Sequence, residues 1–124
     1  RRALVLIDPS YEDKNDYRRA LAALRDALKR LQSGVYALWY PQVQRRESRQ
    51  FPEQLKQLQQ RDWLHVTLSV KKPVAGGFGL HGSGMFILNP PWLLTKALDH
   101  ALPYLARVLA QDAAAGFGLE CELA

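Results

Sequence analysis

The stretch KKPVAGGFGLHGSG, residues 71–84, constrains this chain more than any other. It holds five glycines, shows no helical periodicity, and separates two apolar runs at 63–70 and 85–88. Both runs read as strands. In the first, Leu64, Val66, Leu68 and Val70 alternate with His65, Thr67 and Ser69. The second, Met85–Leu88, is apolar throughout and reads as interior. Parallel neighbours need a helical crossover, and this connection offers none, so the two strands should run antiparallel. The alternation in the first suggests one less covered face, as at a sheet edge.

The rest of the chain alternates strand with helix. Residues 3–8, ALVLID, form a continuous apolar run ending at Asp8, the pattern of a parallel strand covered on both faces. Tyr17, Leu21, Leu24, Leu28 and Leu31 recur at helical spacing over 15–32, with Arg and Lys opposite and Gly34 as a stop. VYALWY, 35–40, is a second strand, ended by Pro41. A short helix over 51–60 turns Phe51, Leu55 and Leu58 inward, and another spans 90–101. Pro103 either starts a further helix or kinks that one. The tail AAAGFGLECELA carries no assignment. This order makes half of an open α/β sheet, and its antiparallel fourth strand sets it apart from ordinary dinucleotide folds. With 124 residues the chain is one domain at most, and a central-type strand so near its start suggests a piece of something longer.

Charge narrows the partners. Seventeen Lys and Arg against twelve Asp and Glu give a net charge of +5, which favours acidic partners, nucleic acid first. The excess sits in YRRALAALRDALKR, in QRRESR and at Lys71–Lys72. The first is a solvated helix face. QRRESR lies in a connection without apolar periodicity, so Arg45, Arg46, Lys71 and Lys72 are candidate phosphate contacts. No apolar run approaches the ~18 residues of a membrane span, and the start lacks a signal-peptide pattern. The single cysteine, Cys121, excludes an internal disulfide and suits a reducing compartment, so a cytoplasmic setting is expected. His65, His81, His100 and Cys121 show no metal-ligand spacing, and no metal is expected. Ser10 and Ser83 lack a nucleophile-elbow context.

Three motifs compete for chemistry. GFGLHG, 77–82, matches a phosphate-cradling spelling but leads into a strand instead of opening a helix, so it is not a dinucleotide site. It can still border a pocket, and Gly82-Ser83-Gly84 would let a backbone approach a base closely. NPPW, 89–92, follows a strand that runs against the others, at the edge opposite the expected ligand site. Asn89 as N-cap, Pro90 in the first turn, and Trp92 with Leu93 opening the apolar face explain it as a helix start.

DPSY, 8–11, ends the first parallel strand, where open α/β sheets bind ligands. Its chemistry is specific. An exocyclic adenine amine is a poor nucleophile because its lone pair is delocalised into the ring. The Asp8 carboxylate and the Pro9 carbonyl can each accept one amine hydrogen, drawing the nitrogen towards tetrahedral geometry for attack on a sulfonium methyl. Tyr11 would stack on the base, which must leave any helix to arrive there.

With DPSY at a strand end and an antiparallel final strand, the chain resembles the C-terminal half of a class I S-adenosylmethionine methyltransferase. LVLIDPSYE, VYALWYP and GSGMFILNPPW resemble, more narrowly, the RlmJ family, bacterial enzymes that methylate N6 of one adenine in 23S rRNA. The resemblance implies a Rossmann-like α/β sheet with helices on both faces and an antiparallel last strand, residues 1–124 forming one partial domain. It implies Asp8, Pro9 and Tyr11 as catalytic residues, with Asp8 also beside S-adenosyl-L-methionine. Ser10 stands where the family's usual wording has a second proline. Ser10, Tyr11, Gly82, Ser83, Lys71, Lys72, Arg45 and Arg46 would face the 23S rRNA substrate. The glycine-rich cofactor loop of such enzymes is not in this sequence, so the chain alone should not methylate RNA, and the full-length enzyme would be a monomer. The rival readings are a DNA adenine or protein glutamine methyltransferase, the latter disfavoured by the basic charge, and a non-catalytic nucleic-acid-binding module.

Overall fold

The computed structural model describes residues 2–77 and 79–124, so Phe78 of the GFGLHG motif lies outside the described residues. The elements are β1 (Leu4–Ile7), α1 (Asn15–Arg30), β2 (Val35–Gln42), α2 (Arg46–Lys56), β3 (Trp63–Ser69), β4 (Gly82–Leu88), α3 (Leu94–Val108) and β5 (Gly116–Glu122). They form one mixed sheet in the order β1-β2-β4-β3-β5. β1 and β2 are parallel, and β4 runs antiparallel to both β2 and β3, as the helix-free glycine connection requires.

The register sorts side chains to two faces. Tyr36, Leu38 and Tyr40 of β2 and Phe86 and Leu88 of β4 pack with Leu21 and Leu24 of α1 and Phe51 and Leu55 of α2. On the opposite face Ala37, Leu64, Val66 and Ile87 pack with Leu102 of α3. Helices therefore cover both faces. Tyr36 also donates its hydroxyl to the carbonyls of Ala27 and Leu31, which ties the end of α1 to the sheet.

Five expectations are corrected. β3 is interior, because the unassigned tail forms β5 and pairs with it along its whole length. Its alternation reflects a polar depression on one face instead of an open edge. β1 is not covered on both faces. Among the described residues it pairs only with β2, and Leu4 and Leu6 are 76% and 67% exposed. α2 begins at Arg46, not 51, because its inward stripe opens with Ser48, whose buried hydroxyl donates to the Pro41 carbonyl at 2.8 Å. QRRESR is thus largely helix, not an open loop. α3 begins at Leu94 and runs unbroken through Pro103 to Val108.

Asn89, the fifth, does not cap a helix. Its backbone is left-handed, at φ 55°, and its side-chain amide donates to the carbonyls of Gln32 and Gly34 at 2.8 and 2.7 Å. Its oxygen accepts from Gln59 at 3.2 Å. Trp92, expected on an apolar face, is 84% exposed. Asn89 joins the loops that precede β2 and β3, at the sheet edge opposite Asp8. This matches the edge assignment made from strand direction.

Candidate nucleic-acid methylation site

DPSY leaves the carboxyl end of β1 and turns sharply at Tyr11, whose φ of 58° is left-handed. A conformation that disfavours a bulky residue needs support, and three hydrogen bonds supply it. The Tyr11 amide donates to Asp16 Oδ2 at 3.2 Å, the Tyr11 carbonyl accepts from Arg45 Nη1 at 2.8 Å, and the Tyr11 hydroxyl donates to the Trp39 carbonyl at 2.6 Å. Asp16 is itself oriented by Arg19, whose guanidinium reaches its other oxygen at 3.1 Å. The Ser10 hydroxyl approaches Asp16 Oδ2 at 3.5 Å, at the limit of a hydrogen bond.

Tyr11 is only 3% exposed. Its ring packs against Tyr17 at 4.7 Å and edge-on to Phe51 at 6.1 Å. Burial, then the neighbouring Tyr17 and Asp8, push its hydroxyl well above the usual phenol range, so it is a permanent donor. The face expected to stack on a base is thus occupied by the core. Trp39, partly buried on the wall of the same cleft, is an aromatic residue the sequence analysis did not single out.

The cleft has a volume of about 570 Å³ and is bordered by Ser10, Tyr11, Trp39, Pro41, Arg45 and Leu80. Asp8, exposed, and Pro9, half-buried, precede those residues at the same strand end. Gly77, Gly79 and Leu80 bring the glycine-rich connection to its rim. Arg45 is a clamp on the turn as well as a cation beside the cleft. Arg46 is exposed on the first turn of α2. Lys71 and Lys72 lie by Asp112, which accepts the Lys72 amide at 3.0 Å, away from the cleft. Gly82 and Ser83 are ladder residues of β4, paired with Gln42 and Pro41. The missing side chains at Gly82 and Gly84 make room for Gln42 and Tyr40, so the backbone approach expected there is made by protein atoms.

A network running from buried Tyr40 and His65 to the half-exposed Glu120 was invisible in the sequence. Tyr40 Oη and His65 Nε2 are 2.6 Å apart, and His65 Nδ1 lies 3.0 Å from Glu120 Oε1 on β5. Lys56 Nζ reaches the same Glu120 oxygen at 2.8 Å and stands over the Trp63 ring. The carboxylate fixes the tautomer: Nδ1–H donates to Glu120, and Nε2 accepts from Tyr40. Hydrogen bonds from Lys56 and then His65 hold the Glu120 carboxyl below its ordinary range. Tyr40 reaches across because Gly84 separates it from β3 in the register.

A mixed sheet with an antiparallel strand inserted between two parallel ones is the arrangement of a methyltransferase-like α/β fold. The comparisons narrow it. The family model described as RsmJ, ribosomal RNA large subunit methyltransferase D, RlmJ, matches residues 1–120, and the chain belongs to this family. It is 38% identical over 120 residues to ribosomal RNA large subunit methyltransferase J of Haemophilus influenzae, covering 97% of this chain and 42% of that protein. The Escherichia coli protein of the same name is 39% identical over 105 residues, covering 85% and 37%. The crystal structure of protein LPL1258 from Legionella pneumophila, of family model DUF519, superposes with a TM-score of 0.87 at 26% identity over 98% of this chain and 44% of that one. The chain spans less than half the length of these relatives.

Proposed function

We propose that this chain is the target-base half of an S-adenosyl-L-methionine-dependent enzyme that methylates adenine N6 in 23S rRNA, acting as a monomer in the cytoplasm when complete. The observation that carries the reading is the DPSY turn, held in a left-handed bend at the carboxyl edge of the sheet and opening on a base-sized cleft. The Asp8 carboxylate and the Pro9 carbonyl accept the two amine hydrogens and orient the nitrogen lone pair. Asp8 need not be a strong base, since the proton becomes acidic once nitrogen carries the methyl. Tyr11 shapes the turn from within the core, and Trp39 supplies aromatic surface in the cleft. Arg45 places positive charge beside it, with Arg46, Lys71 and Lys72 further out as contacts to the RNA backbone.

The cofactor supplies an electrophilic methyl on sulfonium. Of the residues here, exposed Asp8 fits a position beside its charged methionine portion, and most of the remaining contacts are expected to come from outside this chain. The chain alone is therefore expected to be inactive. In the complete protein, Asp8→Ala should abolish methyl transfer to deproteinised 23S rRNA; survival within a few-fold of wild type overturns the reading. Transfer to duplex DNA at a rate equal to or above that to rRNA would instead favour a DNA enzyme.

A further inference from the structure

We propose that the groove between α1 and α2 is a track for the phosphate backbone of the rRNA strand flanking the methylated adenine. This rests on the methyltransferase reading and extends it to a surface that runs away from the catalytic edge.

The track follows from the spacing of cations on α1. Lys14, Arg18, Arg25 and Lys29 fall within about 60° of one another around the helix and make a row about 22 Å long. The carboxylates Asp16 and Asp26 lie off that row, where Arg19 and Arg30 take them at 3.1 and 2.8 Å. All four cations of the row are exposed, and none is in an ion pair among the described residues. The helix gains nothing from this arrangement. Like charges four residues apart repel, and cations at a helix start, as Lys14 and Arg18 are, oppose its dipole.

The facing wall completes the groove. α2 packs beside α1 on the same face of the sheet, with two hollows in line between them. The first, of about 210 Å³, is bordered by Lys14 and Arg18 and, from α2, by Glu47, Gln50 and Gln54. The second, of about 440 Å³, is bordered by Arg25 and Lys29 and, beyond the end of α2, by Leu58 and Gln59. One helical turn separates them, from Leu21 to Arg25 on one wall and from Gln54 to Leu58 on the other. Gln50 and Gln54 are exposed amides that can donate to phosphate or ribose oxygens, and Glu47 is the one carboxylate in either lining.

Four unpaired cations against one carboxylate suit a polyanion. Among the described residues, neither hollow offers the exposed aromatic anchor on which protein interfaces centre, which favours RNA over an acidic protein. Tyr17 borders both the first hollow and the DPSY cleft, so the track begins where the target base is held.

The test measures methylation of deproteinised 23S rRNA by the complete protein at several salt concentrations. The double variant Arg25→Gln/Lys29→Gln removes two exposed charges at the end of the row remote from the catalytic edge and keeps good helix formers. It should raise KM for rRNA about tenfold, leaving kcat and the dissociation constant for S-adenosyl-L-methionine unchanged. The slope of log KM against log salt should fall by about 1.4–1.8, the share of two phosphate contacts. Lys96→Gln/Arg107→Gln removes the same charge from exposed positions of α3, on the other face of the sheet, and should shift KM by less than about twofold. A KM of the α1 variant within about twofold of wild type overturns the track, as does an equal rise in the α3 variant. The first of these results is what a surface for an acidic protein would give, since the assay contains none. If Asp8→Ala still transfers methyl, the function itself is wrong; if that variant is dead and the α1 variant keeps its KM, only the track is wrong.

Discussion

The guanidinium of Arg45 donates to the backbone carbonyl of Tyr11 at 2.8 Å, across 34 residues of sequence. One side chain from the start of α2 thereby holds the bend that follows Asp8 and Pro9. Arg45→Met in the complete protein should lower kcat by about tenfold or more, since small misplacements of positioning groups cost that much. Arg45→Lys should recover only part, lacking the planar fork. Single-turnover methyl transfer at saturating RNA separates this from a plain phosphate contact, which would raise KM and leave kcat alone.

Gly84→Ala should destabilise the protein by about 1–3 kcal/mol, because the added carbon meets the Tyr40 ring. Pairing it with Tyr40→Leu should give less than the sum of the two losses, read from urea denaturation in a double-mutant cycle. Strict additivity would show that the ring does not depend on the glycine.

Asn89→Ala should cost about 1–3 kcal/mol, chiefly by leaving the part-buried carbonyl of Gly34 without the Asn89 amide, while water can replace it at the exposed carbonyl of Gln32. Asn89→Ser, a good N-cap residue, should not rescue it. Recovery of stability by serine would restore the capping role that the structure denies.

The Glu120 network makes stability depend on pH, with a sign set by its lowered carboxyl. A group whose folded-state pKa is depressed stabilises above its ordinary value, here 4.5, and that contribution fades as pH falls through the folded value. Glu120 is half exposed, so the worth of its ion pair is no more than about 1 kcal/mol after screening. Urea midpoints of wild type and Glu120→Gln should differ at pH 7 and converge as the pH drops well below 4.5. A gap unchanged at low pH would mean that the carboxylate charge is not what matters.

Much of this fold could be read from periodicity. The glycine connection fixed the direction of β4, and that direction alone put Asp8 and Asn89 at opposite edges. β5 escaped because one of its faces reads Gly116, Gly118, Glu120, Glu122, a row that makes sense only against β3. With β5 unseen, His65 had no carboxylate and looked isolated. Tyr11 was misread for a related reason: an aromatic after a turn spells the same whether it faces ligand or core. The choice is made by Tyr17 and Phe51, which arrive from two different helices.

The bend at Tyr11 also has a thermodynamic meaning. Amide, carbonyl and hydroxyl of one residue are each tied to a different part of the chain: α1, the start of α2, and β2. Ordering a loop residue on ligand binding ordinarily subtracts from affinity, and here that loss of conformational entropy is incurred once, when the chain folds. Under the proposed function, an adenine arriving at DPSY would meet a turn whose backbone is already ordered at Tyr11, which leaves more of its binding free energy for extracting the base from its own RNA stack.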